Sequence, residues 1–178
     1  MHTHFMDKIR NYDIAFTGLK NGKHEFDFEI TQAFFDLFDT EQEFTTPVIT
    51  AKVILDKHST FMDFDIRISG TVNLICDITG KSFDHEIENE IKVLVKFGED
   101  YDDSNEDVIT IPHQDHAFNI AQLVYEDVIL SVPMKKISPE VSDEDLQMLE
   151  KYSPKSEEEK KDQTDTDPRW EALKKLKN

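Results

Sequence analysis

Alternation of apolar and polar residues predicts several β-strands in the first half of the chain. HEFDFEI at 24–30 places Phe26, Phe28 and Ile30 on one side and acidic residues on the other, which is typical of a half-buried strand. The same period of two runs through VITAKVILDK and through FMDFDIRIS. The KHST segment between these two stretches predicts that they form a hairpin.

The pattern becomes less regular further along the chain. A further strand is expected over 71–76 and a long one over 83–97, where Asn89 interrupts the apolar side and suggests a β-bulge. EDYDDSNED at 99–107 has six acidic residues and no basic one, so mutual repulsion predicts an exposed, mobile loop. VITIP at 108–112 then predicts a short strand.

Two segments predict helical structure. TQAFFDLF at 31–38 is too crowded with apolar residues to alternate, and it suits a short helix or an apolar loop under the sheet. NIAQLVYEDVILSVP is long enough for a helix that ends at or just before Pro133. Its apolar residues cover nearly every side and leave Gln122 and Glu126 as the main polar edge, so we expect the helix to be mostly buried.

The chain changes character after this helix. SDEDLQMLEKY predicts a short helix, SPKSEEEKKDQTDTD has no apolar residue and predicts a disordered linker, and DPRWEALKKLKN predicts an amphipathic terminal helix. We therefore expect one folded α+β domain over 1–137, mainly an antiparallel β-sheet or partly open barrel with a buried helix. Residues 138–178 are expected to form a flexible, acidic, largely disordered tail that carries short helices.

The charge balance limits the class of partner. The 178 residues include 38 acidic and 20 basic ones and carry a formal charge of −18, which opposes unselective attraction to nucleic acid or to anionic membranes. This negative charge favours association with a basic partner. MHTHFMDKIR lacks the apolar run of a signal peptide, and no segment approaches the roughly 20 apolar residues that cross a bilayer. We therefore expect a cytoplasmic protein without membrane contact.

CDITGKS at 76–82 has three interpretations. A phosphate-binding loop would need a glycine where Ile75 stands and a helix after the lysine, whereas an alternating strand pattern follows. A zinc knuckle would ordinarily need a second cysteine where Thr79 stands. We favour a hairpin turn in which Gly80 adopts positive φ and Cys76, the single cysteine, is a buried thiol.

Few other residues suggest chemistry. The acidic loop lacks the glycine and the bidentate glutamate of an EF-hand, and His113 and His116 lack a third ligand. Asp127 lies between Ile120 and Leu123 on the helical wheel, so its carboxylate needs a partner. We favour a structural anchor, for example one that accepts backbone N–H bonds from a neighbouring loop, over a catalytic acid. No catalytic residue, cofactor or metal site is predicted.

Three segments, taken in order, resemble the YceD family, the large ribosomal RNA subunit accumulation proteins. They are CDITGKSF, LVYEDVILSVP and DPRWEALKKLK, which extend over 76–177. The resemblance implies a non-catalytic factor that supports 23S rRNA accumulation and assembly of the large ribosomal subunit. Such a factor would act by binding a precursor of the large subunit or a basic ribosomal protein, with local rather than broad contact to rRNA.

The resemblance also implies site residues. Glu126 and Asp127 match an acidic pair that precedes the family's ILALP-like stretch. The matching partner-binding residues of the tail are Pro168, Arg169, Trp170, Leu173 and Leu176. Many members have CxxC in the turn, whereas Thr79 takes the second place here. Cys76 is therefore carried over as a structural or binding residue, without a metal.

Two other functions remain open from the residues. One is an acidic, chaperone-like binding protein without ribosomal specificity, which the charge alone would support. The other, which we favour less, is a metal-dependent enzyme that uses His113, His116 and the acidic loop.

Overall fold

The computed structural model describes residues 8–38, 40–105 and 107–142. Residues up to Val141 belong to one compact unit. The predicted domain boundary at 137 remains a prediction. The linker and the helices predicted for the tail lie outside the described residues.

The first half of the described chain is dominated by strands. After a single 3₁₀ turn at Arg10–Tyr12, the elements follow in this order: β1 (Asp13–Ala15), β2 (Gly22–Ile30), α1 (Gln32–Phe35), β3 (Thr45–Lys57), β4 (Phe61–Ile75) and β5 (Ser82–Gly98). The second half adds β6 (Asp102–Asn105), β7 (Val108–Pro112), β8 (Ala117–Asn119) and α2 (Ala121–Ser131).

Six of these strands form one open sheet in the order β2-β3-β4-β5-β7-β6, and β1 pairs with β8 in a small second sheet. The neighbouring strands of the large sheet are antiparallel except β5 and β7, which are parallel. The predicted α+β class, with a mainly antiparallel sheet and few helices, is confirmed. The parallel pair was not anticipated, because nothing local in the sequence specifies it.

The predicted strand faces are confirmed for β2, β3 and β4. Val53 pairs with Ile66, and both side chains are almost fully buried. We call this the inner face of the sheet, and α1, α2, β1 and β8 contribute to the core that it covers. Its buried apolar members on β3 and β4 are Ile49, Ala51, Val53, Leu55, Met62, Phe64, Ile66, Ile68, Val72 and Leu74.

The two strands expected over 61–69 and 71–76 are a single strand, β4. Val72 and Leu74 are buried on the same face as Ile68, so the period of two continues across Gly70. A side chain at Gly70 would collide with β3, since an added Cβ atom would lie 2.2 Å from the Val48 carbonyl oxygen. The glycine therefore permits a close approach of strands rather than ending one.

The bulge expected at Asn89 is absent from β5. The pairing of β4 with β5 runs without a register shift, and Asn89 lies opposite Ile68. The prediction was wrong because the polar side chain on the inner face is satisfied by hydrogen bonds to α2 and needs no local distortion.

The acidic segment 99–107 is not only a loop. Residues 102–105 form β6, which pairs with β7 and leaves its four side chains exposed. The expected exposure of the segment is confirmed for the residues that are described, but its loop assignment is corrected. The repulsion argument missed that an edge strand can keep every acidic side chain in water.

Helix α2 buries one face rather than nearly all of its surface. Ala121, Val124 and Val128 are buried at helical spacing, whereas the Leu130 side chain is 83% exposed. Helix formation over this segment was predicted correctly. The expected burial on nearly every side is corrected, because the sheet covers only the face that points toward it.

Candidate partner-binding surfaces

The outer face of the sheet carries rows of carboxylates on two strands. Alternation places Glu25, Asp27 and Glu29 of β2 in solvent, opposite the half-buried Phe26 and Phe28. On β5 the same alternation exposes the side chains of Asp84, Glu86, Glu88 and Glu90. These positions follow directly from the strand period, although the sequence alone did not show that they would form rows on one sheet.

Basic side chains neutralise only part of this face. Lys92 Nζ lies 3.0 Å from one Glu90 carboxylate oxygen, and Arg67 Nε donates to the other at 3.1 Å. Lys92 first, and Arg67 second, hold the pKa of Glu90 below its usual range. Glu86 and Glu88 have no recorded ion pair among the described residues, so their charge is available to a cation from outside.

Helix α2 directs Glu126 and Asp127 into different surroundings. Asp127 is half-buried and accepts a hydrogen bond from Asn89 Nδ2 at 3.0 Å. Ser131 Oγ accepts a second bond from the same amide group and donates to the Asp127 carbonyl oxygen at 2.6 Å. The expected anchor role therefore has a structural basis, but the partner is a side-chain amide rather than backbone N–H groups.

Asp127 is predicted to tolerate asparagine better than alanine. Burial raises the pKa of the Asp127 carboxyl, while the hydrogen bond from Asn89 opposes this rise. Because the folded-state pKa is raised, the contribution of this carboxyl to stability is fully present below its unfolded pKa and is lost as pH rises through the folded value. At neutral pH the charge is a net cost, and solvent screening keeps that cost small.

Asp127→Asn keeps an oxygen acceptor for Asn89 and removes the charge, so its unfolding free energy at pH 7 should equal or slightly exceed that of the parent. Asp127→Ala removes the acceptor and should lose about 1 kcal/mol of unfolding free energy. Denaturant titration at pH 7 and below pH 4 measures both effects. Equal destabilisation by the two substitutions would contradict the proposed hydrogen bond.

Glu126 lines a cleft that we call the hairpin cleft. This cleft of about 510 Å³ lies between the β6–β7 hairpin and the first turns of α2. Its polar wall includes Tyr101, Asp103, Asp115 and Glu126, and Phe118 contributes apolar surface. Desolvation, and then the charge of Asp103, raise the pKa of Tyr101 above its usual range. The cleft combines negative charge with apolar contact.

The CDITGKS segment forms the predicted hairpin turn. Gly80 has φ of 66°, its N–H donates to the Cys76 carbonyl oxygen at 2.9 Å, and the Cys76 N–H donates to the Lys81 carbonyl oxygen at 2.8 Å. Cys76 is 1% exposed, so the predicted burial of the thiol is also confirmed. Its role in structure or binding remains a prediction.

Residues 136–138 form hydrogen bonds with this turn. The sequence did not predict these contacts. The Asp77 N–H donates to the Lys136 carbonyl oxygen at 2.8 Å, and the Lys136 N–H donates to Asp77 Oδ2 at 2.7 Å. The Ser138 N–H donates to Cys76 Sγ at 3.4 Å. This bond, followed by one from the Thr79 side chain, lowers the pKa of the Cys76 thiol to about 7.

Cys76→Ser is predicted to be structurally mild and to leave function intact. Serine keeps an acceptor for the Ser138 N–H, but it is more polar than the buried thiol that it replaces. We expect the melting temperature to fall by roughly 2–4 °C. Thermal unfolding and metal analysis of the purified protein test this, and stoichiometric zinc that is lost in the variant would contradict it.

The other sequence candidates do not form a recognisable site. His113 and His116 are exposed, and the described residues contain no group of three His, Cys, Asp or Glu side chains that could hold a metal ion. No helix in the described part of the chain is long and apolar enough to cross a membrane. Five predicted binding residues lie outside the described residues: Pro168, Arg169, Trp170, Leu173 and Leu176.

Comparison with known families gives one result. The model of the YceD family, described as large ribosomal RNA subunit accumulation protein YceD, matches residues 64–177. Comparisons with curated proteins and with solved structures give no match. The matched region begins inside β4 and includes the Cys76 turn, helix α2 and the terminal segment. Because this region covers more than half of the chain, the protein belongs to the YceD family, which is linked to accumulation of large-subunit ribosomal RNA.

Proposed function

We propose that this protein is a non-catalytic, cytoplasmic factor that supports 23S rRNA accumulation by binding a basic ribosomal protein or a precursor of the large subunit. The observation that carries the proposal is the carboxylate row on β5, in which Glu86 and Glu88 form no ion pair with another described residue. Family membership supplies the ribosomal context.

The charge distribution favours protein over RNA as the main partner. This row of carboxylates repels a phosphate backbone and attracts lysine-rich or arginine-rich surfaces, which increases the rate of encounter and selects basic partners. The hairpin cleft adds Asp103, Asp115 and Glu126 beside apolar surface, a combination that suits the stem and the charged end of a lysine or arginine side chain. Any local contact with rRNA would be made by the basic residues at the end of the tail.

Capture of ribosomal proteins tests this proposal. The full chain is immobilised and exposed to proteins extracted from purified large and small subunits at about 0.1 M salt, where the Debye length is about 10 Å. Mass spectrometry should show that large-subunit proteins are retained preferentially. Equal retention of basic proteins from both subunits would indicate a chaperone-like protein without ribosomal specificity. Retention of neither set would contradict the proposal.

A further inference from the structure

Among the described residues, most of strand β5 pairs with another strand on only one side. Strand β4 pairs with β5 over Ser82–Lys96, whereas β7 pairs on the other side only over Leu94–Gly98. Within the described parts of the chain, no strand pairs with that other side over 82–93. A stretch of twelve residues therefore presents a sheet edge within a six-stranded sheet.

The polar backbone groups on this edge can be assigned by alternation. The Leu94 N–H donates to the Asp107 carbonyl oxygen at 2.9 Å, and the Gly98 carbonyl oxygen accepts the His113 N–H at 3.2 Å. Both groups point away from β4. Because β5 pairs with β4 without a register shift, the N–H and C=O groups of other even-numbered residues, including Glu86 and Glu88, also point outward.

A cleft of about 300 Å³, the edge cleft, lies along this edge. One wall consists of four consecutive residues, Glu86–Asn89, and the other of Asp127, Leu130 and Ser131 from the end of α2. Since side chains of consecutive strand residues point to opposite faces, all four can line one cleft only if it lies beside the strand. Leu130 is 83% exposed and provides an apolar surface there.

We propose that the free edge of β5 binds an extended basic segment of a partner protein as an added strand. In that segment lysine or arginine alternates with apolar residues. The basic side chains would lie beside Glu86 and Glu88 on the outer face, within about 5 Å as cross-strand neighbours. The apolar ones would contact the exposed side chain of Leu130 on the inner side. The main-chain hydrogen bonds of this binding mode supply affinity, and the alternating side chains supply selectivity.

The negative charge of the β5 edge favours a basic segment over a second copy of the chain. Pairing of two β5 edges would bring the row Asp84–Glu90 against an identical acidic row, and like charges on neighbouring strands are destabilising. Acidic residues also line the outer edge strand β2, where they oppose edge-to-edge association. The β5 edge differs because a cleft and an exposed leucine accompany its charges. The inference rests on the proposed function for the source of the basic segment.

The test uses the full chain and a synthetic nine-residue peptide of alternating lysine and valine, acetylated and amidated. A peptide of the same composition with its lysines in one block is the control. Titration should show at least about tenfold tighter binding of the alternating peptide. Amide hydrogen exchange should show new protection at Glu86 and Glu88. Equal binding of both peptides, or protection confined to other residues, would overturn the proposal.

Matched substitutions distinguish binding at the β5 edge from unspecific attraction to the negative charge of the protein. Glu88→Pro removes an outward N–H without breaking a bond to β4, and prolines are accepted at such edge positions. We expect at least about tenfold weaker binding of the alternating peptide. Asp27→Pro, at an outward position on the free edge of β2, is the control and should bind as the parent does. Equal loss in both variants would overturn the proposal.

Charge variants keep the test decisive if a proline variant fails to fold. Glu86→Gln with Glu88→Gln should weaken binding several-fold, whereas Glu25→Gln with Glu29→Gln, which changes net charge equally, should not. An equal effect of the two pairs would overturn the proposal.

Hydrogen exchange of the chain without peptide tests two other occupants of the edge. Protection of Glu86 and Glu88 that does not depend on concentration would show that the chain's own tail occupies the edge. Protection that grows with concentration would show a second copy. Either outcome would overturn the proposal.

Failure of this inference can be distinguished from failure of the proposed function. If the peptide does not bind but the chain retains large-subunit proteins, the β5 edge is not their binding site and the proposed function stands. If the peptide binds at β5 but no large-subunit protein is retained, the edge inference stands and the ribosomal role fails.

Discussion

Replacement of both Trp170 and Leu173 by alanine is expected to reduce association with large-subunit precursors by about 30-fold while leaving the melting temperature unchanged. The sequence DPRWEALKKLK predicts a terminal helix with a capping aspartate, a proline suited to the first turn and an apolar face. So short a helix is marginal alone, and we propose that it folds on a partner. A buried aromatic anchor commonly contributes about 2 kcal/mol or more, which corresponds to this fold-change.

The matched control for this pair lies on the opposite side of the predicted helix. Glu171→Ala with Lys175→Ala leaves the net charge unchanged and avoids the apolar face. We expect this control to sediment with precursors as the parent does. If the Trp170 and Leu173 variant instead melts much lower while its association is unchanged, the helix belongs to the protein's own fold and our assignment of a docking helix is wrong.

Gly70→Ala is expected to cause a large loss of stability. An added Cβ atom would lie 2.2 Å from the Val48 carbonyl oxygen and 2.6 Å from the Ile49 Cα atom. These are backbone atoms of β3, which pairs with β4 on one side and, from Ile49 onward, with β2 on the other. Because β3 cannot move away without disturbing both pairings, we expect a loss of about 3 kcal/mol.

Gly18→Ala is the control for this glycine. An added Cβ atom at Gly18 would meet nothing within 4 Å, so the change in unfolding free energy should stay within about 0.5 kcal/mol. Denaturant unfolding of both variants measures the difference. A Gly70→Ala variant within 1 kcal/mol of the parent would show that β3 and β4 separate more easily than the structure implies.

Strands with one buried face could be predicted from the sequence because their apolar side chains repeat every second residue. Three features could not be predicted in this way. The strands β1 and β8 have three residues each, which is too short to reveal a period. The parallel pairing of β5 with β7 is a non-local choice. Asn89 is satisfied by Asp127, 38 residues further along the chain, so local pattern suggested a bulge instead.

For the candidate surfaces, too, local features could be predicted from the sequence, whereas contacts between residues far apart in the chain could not. Gly80 was enough to predict the turn that contains Cys76, but the residues that hold the turn from outside lie about 60 positions later. The need of Asp127 for a partner was predictable from its apolar surroundings. The identity of that partner was not. The free edge of β5 could not be predicted, because it depends on where β7 stops pairing.

Sedimentation of a cell extract tests the central claim, that the protein binds precursors of the large subunit, most directly. The extract is separated on a sucrose gradient at about 0.1 M salt, and each fraction is probed for this protein and for 23S and 16S rRNA. We predict that the protein sediments with particles that contain 23S rRNA and are lighter than the mature large subunit. Higher salt should release it, because a contact made by surface carboxylates is screened. Recovery only among free proteins at the top of the gradient, or with particles that contain 16S rRNA alone, would contradict the claim.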